Sequence, residues 1–95
     1  MTNSTEIKNL SLYHYQSCPF CEMTRDAINE LDIDIELRDI HLHSEHFEEL
    51  IREGGKPQVP CLRIEQEDGK THWLYESQHI IQLLGEYVNL VKNAA

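Results

Sequence analysis

Little in this sequence would tie it to a membrane, a nucleic acid or an extracellular scaffold. No apolar run approaches the ~18 residues that cross a bilayer, and the chain opens Met1-Thr2-Asn3-Ser4 without the apolar core of a secretory signal. Cysteine is scarce and odd in number, three in 95 residues, which argues against a framework of paired disulfides. These two absences make the cytoplasm the expected compartment. Cations are also few: eight Lys and Arg stand against seventeen Asp and Glu, a formal net charge of −9. Neutralising phosphates takes clustered basic residues, so nucleic acid is not an expected partner, and an anionic lipid surface is disfavoured too. Most of this acid serves solubility, but an anionic small ligand would have to find local positive groups or helix N–H dipoles against an adverse field. No repeat, low-complexity stretch or linker interrupts the chain, so residues 1–95 are expected to form one domain with a single modest core, working as a monomer. The polar ends, Met1 to Asn9 and Lys92 to Ala95, read as short frayed tails.

A second C-x-x-C is missing as well, and this bears on the one that is present. Cys18-Pro19-Phe20-Cys21 directly follows the strand-like run Leu10-Ser11-Leu12-Tyr13-His14-Tyr15. A tetrahedral zinc site needs two more ligands, and only Cys61 and the run of His41, His43 and His46 could supply them, so no metal site is expected. A redox pair is the better reading. Pro19 suits the first helical position, where its missing N–H costs nothing and its fixed φ fits the turn. Cys18 then lies at the cap, where unpaired N–H groups favour a thiolate, and Cys21 lies one turn inside, placed to resolve a mixed disulfide on Cys18. Cys61 is read as a small core hydrophobe, and the six histidines and Trp73 carry no assigned role.

The remaining pattern predicts the order βαβαββα. Phe20, Met23, Ala27, Ile28 and Leu31 recur at helical spacing from Pro19 to Leu31, and Ile33 to Leu37 alternates as a half-buried strand near a sheet edge. Ser44 can cap a second helix burying Phe47, Leu50 and Ile51, ended by Gly54-Gly55. Asp68-Gly69 joins the β-rich runs Cys61 to Glu65 and Thr71 to Tyr75 into a hairpin. Ser77 can cap a last helix with Ile80, Leu84, Tyr87, Val88 and Val91 on one stripe. An α/β fold follows: a four-stranded mixed sheet with helices on both faces, the first and third strands central, and Cys18 at a crevice beyond the end of the first strand.

Cys18-Pro19-Phe20-Cys21, Val59-Pro60 before the third strand, and Glu76-Ser77 at the start of the last helix together resemble the glutaredoxins of the thioredoxin-like fold. The resemblance covers nearly the whole chain. It implies a cis Pro60, with the backbone of Val59 pairing with glutathione. It also implies that Glu76 and Ser77 receive the γ-glutamyl end, and that Lys56 and Gln58 lie near the glycine carboxylate. Tyr15 stands where many small glutaredoxins carry a lysine, and Leu74-Tyr75-Glu76-Ser77 replaces a double glycine. Both changes are more similar to the glutaredoxins that resemble the N-terminal domain of glutathione transferases. The implied activity is glutathione-dependent reduction of protein disulfides and glutathione mixed disulfides, with Cys18 as nucleophile, Cys21 as resolving thiol and glutathione as reductant. The implied partners are disulfide-bearing or glutathionylated proteins. The alternative is an iron–sulfur or metal carrier in which Cys18 and glutathione hold the cluster.

Overall fold

Residues 5–93 are described by a computed structural model. Strand β1 (Thr5–His14) leads into helix α1 (Pro19–Glu30) and strand β2 (Ile33–Asp39). Helix α2 (Ser44–Glu49) continues as a wider π turn over Leu50–Gly54, strands β3 (Cys61–Glu65) and β4 (Thr71–Leu74) form a hairpin, and helix α3 (Ser77–Asn93) follows. The sheet runs β2-β1-β3-β4, with β1 parallel to β2 and antiparallel to β3, and β4 antiparallel to β3. The expected architecture is therefore the observed one, with β1 and β3 central and β2 at an edge.

Period-two alternation divides the core between the two faces of the sheet. Leu10, Leu12 and Leu62 face α1 and α3 and pack with Ile28, Ile80, Leu84 and Val88. Their neighbours Tyr13 and Cys61 point the other way and pack with Ile40 and Leu50, under α2 and its π turn. Gly55 ends that turn at φ 88, and Gly69 turns the β3–β4 hairpin at φ 87. Both conformations are open to glycine at no steric cost. The hairpin is closed by Gly69 N–H to the Gln66 carbonyl at 3.0 Å and by Gln66 N–H to the Lys70 carbonyl at 2.8 Å.

The structure corrects four local expectations. β1 begins at Thr5, so Thr5 to Asn9 are strand and not tail: Thr5 pairs with Ile33, Glu6 with Asp34, and Ile7 is buried in the core. Met1 to Ser4 and the last two residues lie outside the described chain. On α1 the buried stripe is Cys21, Thr24 and Ile28, while Phe20 and Met23 are 59% and 43% exposed. The two stripes differ by one residue, about 100° around the helix, and the inward Cys21 selects the second. On α2 no residue is buried, and in the π turn that continues it only Leu50 is; Phe47 and Ile51 stay exposed, and His43 stands at the cap in place of Ser44. At the start of α3, Ile80 N–H donates to the Glu76 carbonyl at 2.9 Å, so Glu76 takes the cap and Ser77 is the first helical residue. The α3 stripe is otherwise as expected through Val88; the side chain of Val91 is not among those described.

Candidate active site

The chain leaves β1 at His14 and turns through Tyr15, Gln16 and Ser17 before α1 begins. Cys18 N–H donates to the Tyr15 carbonyl at 3.3 Å and closes this turn. Cys18 is the N-cap with extended φ and ψ of −81° and 117°, and Pro19 follows as the first helical residue. Its carbonyl accepts the first intrahelical bond, from Glu22 N–H at 2.9 Å. Its Sγ accepts the Cys21 N–H at 3.3 Å, in the role a serine or aspartate oxygen usually fills. A sulfur held this way sits on an unpaired helix N–H, at the positive end of the helix dipole.

The two thiols differ in their surroundings. All three cysteines are free and buried. Cys18 retains 5% of its surface, while Cys21 is fully enclosed. Burial, reinforced by the Cys18 side chain, pushes the Cys21 thiol up to about 12, against the backbone of Tyr15 and the charge of Arg25. Cys61 also rises to about 12 through burial, with the Tyr75 hydroxyl partly opposing. It packs with Tyr13, Ile40 and Leu50 on the face opposite α1, consistent with an inert core residue.

Of the residues singled out around the thiols, Tyr15, Val59 and Pro60 are brought together by register and packing. Tyr13 pairs with Cys61 in the antiparallel β1–β3 ladder, so Pro60 and Val59, which precede Cys61, continue alongside His14 and Tyr15. The Val59–Pro60 bond is cis, as the resemblance implied. Val59 and Tyr15 pack against the same cluster as Trp73 and Tyr75. Lys56 Nζ lies 5.3 Å from the centre of the Tyr75 ring, and the Tyr75 hydroxyl donates to the Gly54 carbonyl at 2.7 Å. Lys56, Gln58 and Glu76 are exposed and Ser77 half-buried. At the start of α3, Gln78 Nε2 reaches Met23 Sδ at 3.6 Å, which brings that helix end beside α1.

Sequence reasoning missed four residues beneath the turn. His14 is buried and its Nδ1 lies 2.9 Å from Arg25 Nη1; Arg25 also donates to the Tyr15 and Gln16 carbonyls at 3.2 and 3.1 Å. Burial and the Arg25 charge hold His14 below the usual histidine range, with Asp39 opposing. Asp39 is driven up by burial but more strongly down by the N–H groups of Leu42 and His41 and by His14, so it stays ionised well below the ordinary carboxylate range. His41 stacks on Tyr15, with centroids 4.1 Å apart and ring planes 18° from parallel. One signal for Arg25 was available: it follows Cys21 by four residues, on the stripe that α1 buries. Among the described residues, no group of three or more His, Cys, Asp and Glu side chains converges as a metal site.

Comparison with known proteins decides the family. Residues 12–90 match the family of the glutathione S-transferase N-terminal domain. The chain belongs to that family. No curated protein matches it significantly. Among solved structures, this glutathione S-transferase N-terminal domain is similar to maleylacetoacetate isomerase from Anaeromyxobacter dehalogenans. The isomerase with glutathione bound in its active site is 28% identical, with a TM-score of 0.63, over 85% of this chain and 38% of that one. The domain thus spans well under half of that relative. The thioredoxin-like protein BC3987 superposes with a TM-score of 0.62 at 19% identity, over 79% of this chain and 97% of its own. A glutaredoxin from Brucella melitensis superposes with a TM-score of 0.57 at 14% identity, covering 94% of each chain. These likenesses establish the thioredoxin-like fold, and neighbours of both the transferase and the glutaredoxin kind surround it. Among the described residues, no helix is long and apolar enough to cross a membrane.

Proposed function

We propose that residues 1–95 act as one glutaredoxin-like domain, a glutathione-dependent thiol-disulfide oxidoreductase. The observation that carries this reading is the Cys21 N–H held on Cys18 Sγ at 3.3 Å, with the Cys21 thiol enclosed one turn inside. The first sulfur holds a helix N–H donor in place, and burial keeps the second protonated. In the proposed cycle, the Cys18 thiolate attacks the glutathione sulfur of a mixed disulfide, and the substrate thiolate leaves and takes up a proton. A second glutathione thiolate then attacks the glutathione sulfur on Cys18, giving oxidised glutathione and free Cys18. With a protein disulfide, the Cys18 thiolate first attacks one substrate sulfur and the other leaves as a thiolate and takes up a proton; Cys21 then gives up its proton and attacks Cys18 Sγ, and the bound substrate sulfur leaves as a thiolate and takes up a proton. The resulting Cys18–Cys21 disulfide is reduced by two glutathiones, which leave as one oxidised glutathione.

Glutathione as the partner is supported by the family and by the isomerase relative with glutathione in its active site. In this domain Val59, next to cis-Pro60, would pair with the ligand backbone beside Tyr15, while Glu76 and the first-turn N–H groups at Ser77 would take the γ-glutamyl carboxylate. Lys56 and Gln58 would meet the glycine end. The test is glutathione-coupled reduction of a small mixed disulfide by the purified protein. Wild type should turn over and Cys18→Ser should be inactive, because an unionised hydroxyl is neither nucleophile nor leaving group. A wild type without activity contradicts the proposal.

A further inference from the structure

Arg25 places a cation on the face of α1 that is otherwise turned inward. It follows Cys21 by four residues and Cys18 by seven, in line with the buried Cys21, Thr24 and Ile28. A partly buried guanidinium needs acceptors, and three surround it: His14 Nδ1 at 2.9 Å, the Tyr15 carbonyl at 3.2 Å and the Gln16 carbonyl at 3.1 Å. Arginine has no acceptor atom, so His14 Nδ1 must accept and the ring proton sits on Nε2. The charged groups facing His14 are Arg25 from α1 and Asp39 from β2. The Tyr15 carbonyl is shared, because it also receives the Cys18 N–H that closes the turn. Arg25 is therefore one hydrogen bond from the backbone of Cys18, and its charge also bears on Cys21.

We propose that Arg25 is the positioning residue of the thiol pair: its planar fork fastens the Tyr15–Cys18 turn to α1 and so keeps Cys18 Sγ on the Cys21 N–H. The inference rests on the reading of Cys18 as nucleophile and adds the residue that sets its geometry. A flexible side chain would not do the same work. Two successive carbonyls and an imidazole nitrogen are spanned by a rigid arrangement of five donors, which a lysine ammonium cannot reproduce as a point charge. Without the fork the turn is held by its single 3.3 Å bond, and the sulfur loses its fixed place at the helix start.

Alkylation of the full chain with iodoacetamide, followed residue by residue by mass spectrometry across a pH series, tests the proposal. In the wild type, Cys18 should be labelled ahead of Cys21 and Cys61 at mildly acidic pH. Arg25→Lys and Arg25→Gln should both slow Cys18 labelling there by roughly five- to tenfold, the net worth of about one ordinary hydrogen bond, and move its pH profile upward. A purely structural arginine would lower the melting temperature and leave that profile in place. A profile unchanged in both variants, or restored by Arg25→Lys alone, overturns the fork. Should the variants fail to fold, hydrogen exchange of the wild-type Cys18 amide decides, since a clamped turn protects it and an unprotected amide contradicts the clamp. A wild type in which Cys18 is not labelled first removes the nucleophile assignment itself, an outcome distinct from an unchanged profile in the Arg25 variants.

Discussion

Cys18 and Cys21 are one helical turn apart, yet only one of them has a helix N–H donated to its sulfur. Under the proposed cycle, Cys21→Ser removes only the internal resolving step. Reduction of glutathione mixed disulfides should persist in that variant, with external glutathione finishing the cycle, while reduction of protein disulfides falls sharply; parallel assays of both substrates check this. Equal loss in both would mean that Cys21 does more than resolve. Lys56 is the second residue to test. Its ammonium lies above the Tyr75 ring in a chain of net charge −9, where an anionic ligand has few cations to meet. Lys56→Glu should raise KM for glutathione about two- to fivefold, the range of an exposed charge contact, with an effect that shrinks as salt rises. The N-cap role of Cys18 was legible in the sequence because Pro19 marks the first helical position unaided. The Arg25–His14 contact was not legible, since it joins a strand end to the second turn of a helix and depends on how the two pack.

At the scale of elements, the position before the left-handed Gly55 is as constrained as Gly55 itself. A Cβ on Gly54 would lie 2.6 Å from the Tyr75 hydroxyl oxygen and 2.9 Å from Trp73 Cε3. Gly54→Ala should therefore force the Tyr75 ring away from the Gly54 carbonyl it now bonds, and destabilise the fold by about 1–3 kcal/mol. Gly85 offers the reverse case. It lies within α3, and a Cβ there would meet nothing within 4 Å. Gly85→Ala should stabilise by about 0.5–1 kcal/mol, as expected where alanine replaces glycine inside a helix. Thermal melts of both variants check the pair, and a shift of the same sign in both contradicts the packing described. The phase of α1 shows where element-level reading falls short. Phe20, Met23 and Ala27 fit a buried stripe as well by spacing as Cys21, Thr24 and Ile28 do. Only contact with the sheet, which has Cys21 inward, chooses between them. The early start of β1 is similar: Lys8 and Asn9 look like tail until Ile7 finds the core and β2 supplies a partner.

Across the whole molecule, two enclosed thiols contribute to the alkaline limb of stability, with Tyr13 and Tyr75, also raised by burial, adding to it at higher pH. Cys21 and Cys61 are both raised to about 12 by burial, whereas thiols of the unfolded chain ionise near ~8.5. Their protonated forms are favoured by the fold, so this stability is fully present below the unfolded value and is lost as pH rises toward 12. The unfolding free energy from denaturant titrations should fall between about pH 8 and 10, by up to about 1.4 kcal/mol per pH unit for each thiol. Cys61→Ala should flatten that slope, and a wild-type stability constant over the interval contradicts the burial of both thiols. The fold itself was legible because the number and order of the elements and their turn signals agreed with one sheet order even where the stripes of α1 and α2 were misphased. In the proposed cycle, Cys18 is the sulfur through which glutathione passes. The most direct measurement is to treat Cys21→Ser with oxidised glutathione, digest it, and locate the glutathione adduct by mass spectrometry. A single adduct on Cys18, released by added glutathione, is expected; an adduct on Cys61, or none, would rule out Cys18 as the glutathione-carrying sulfur.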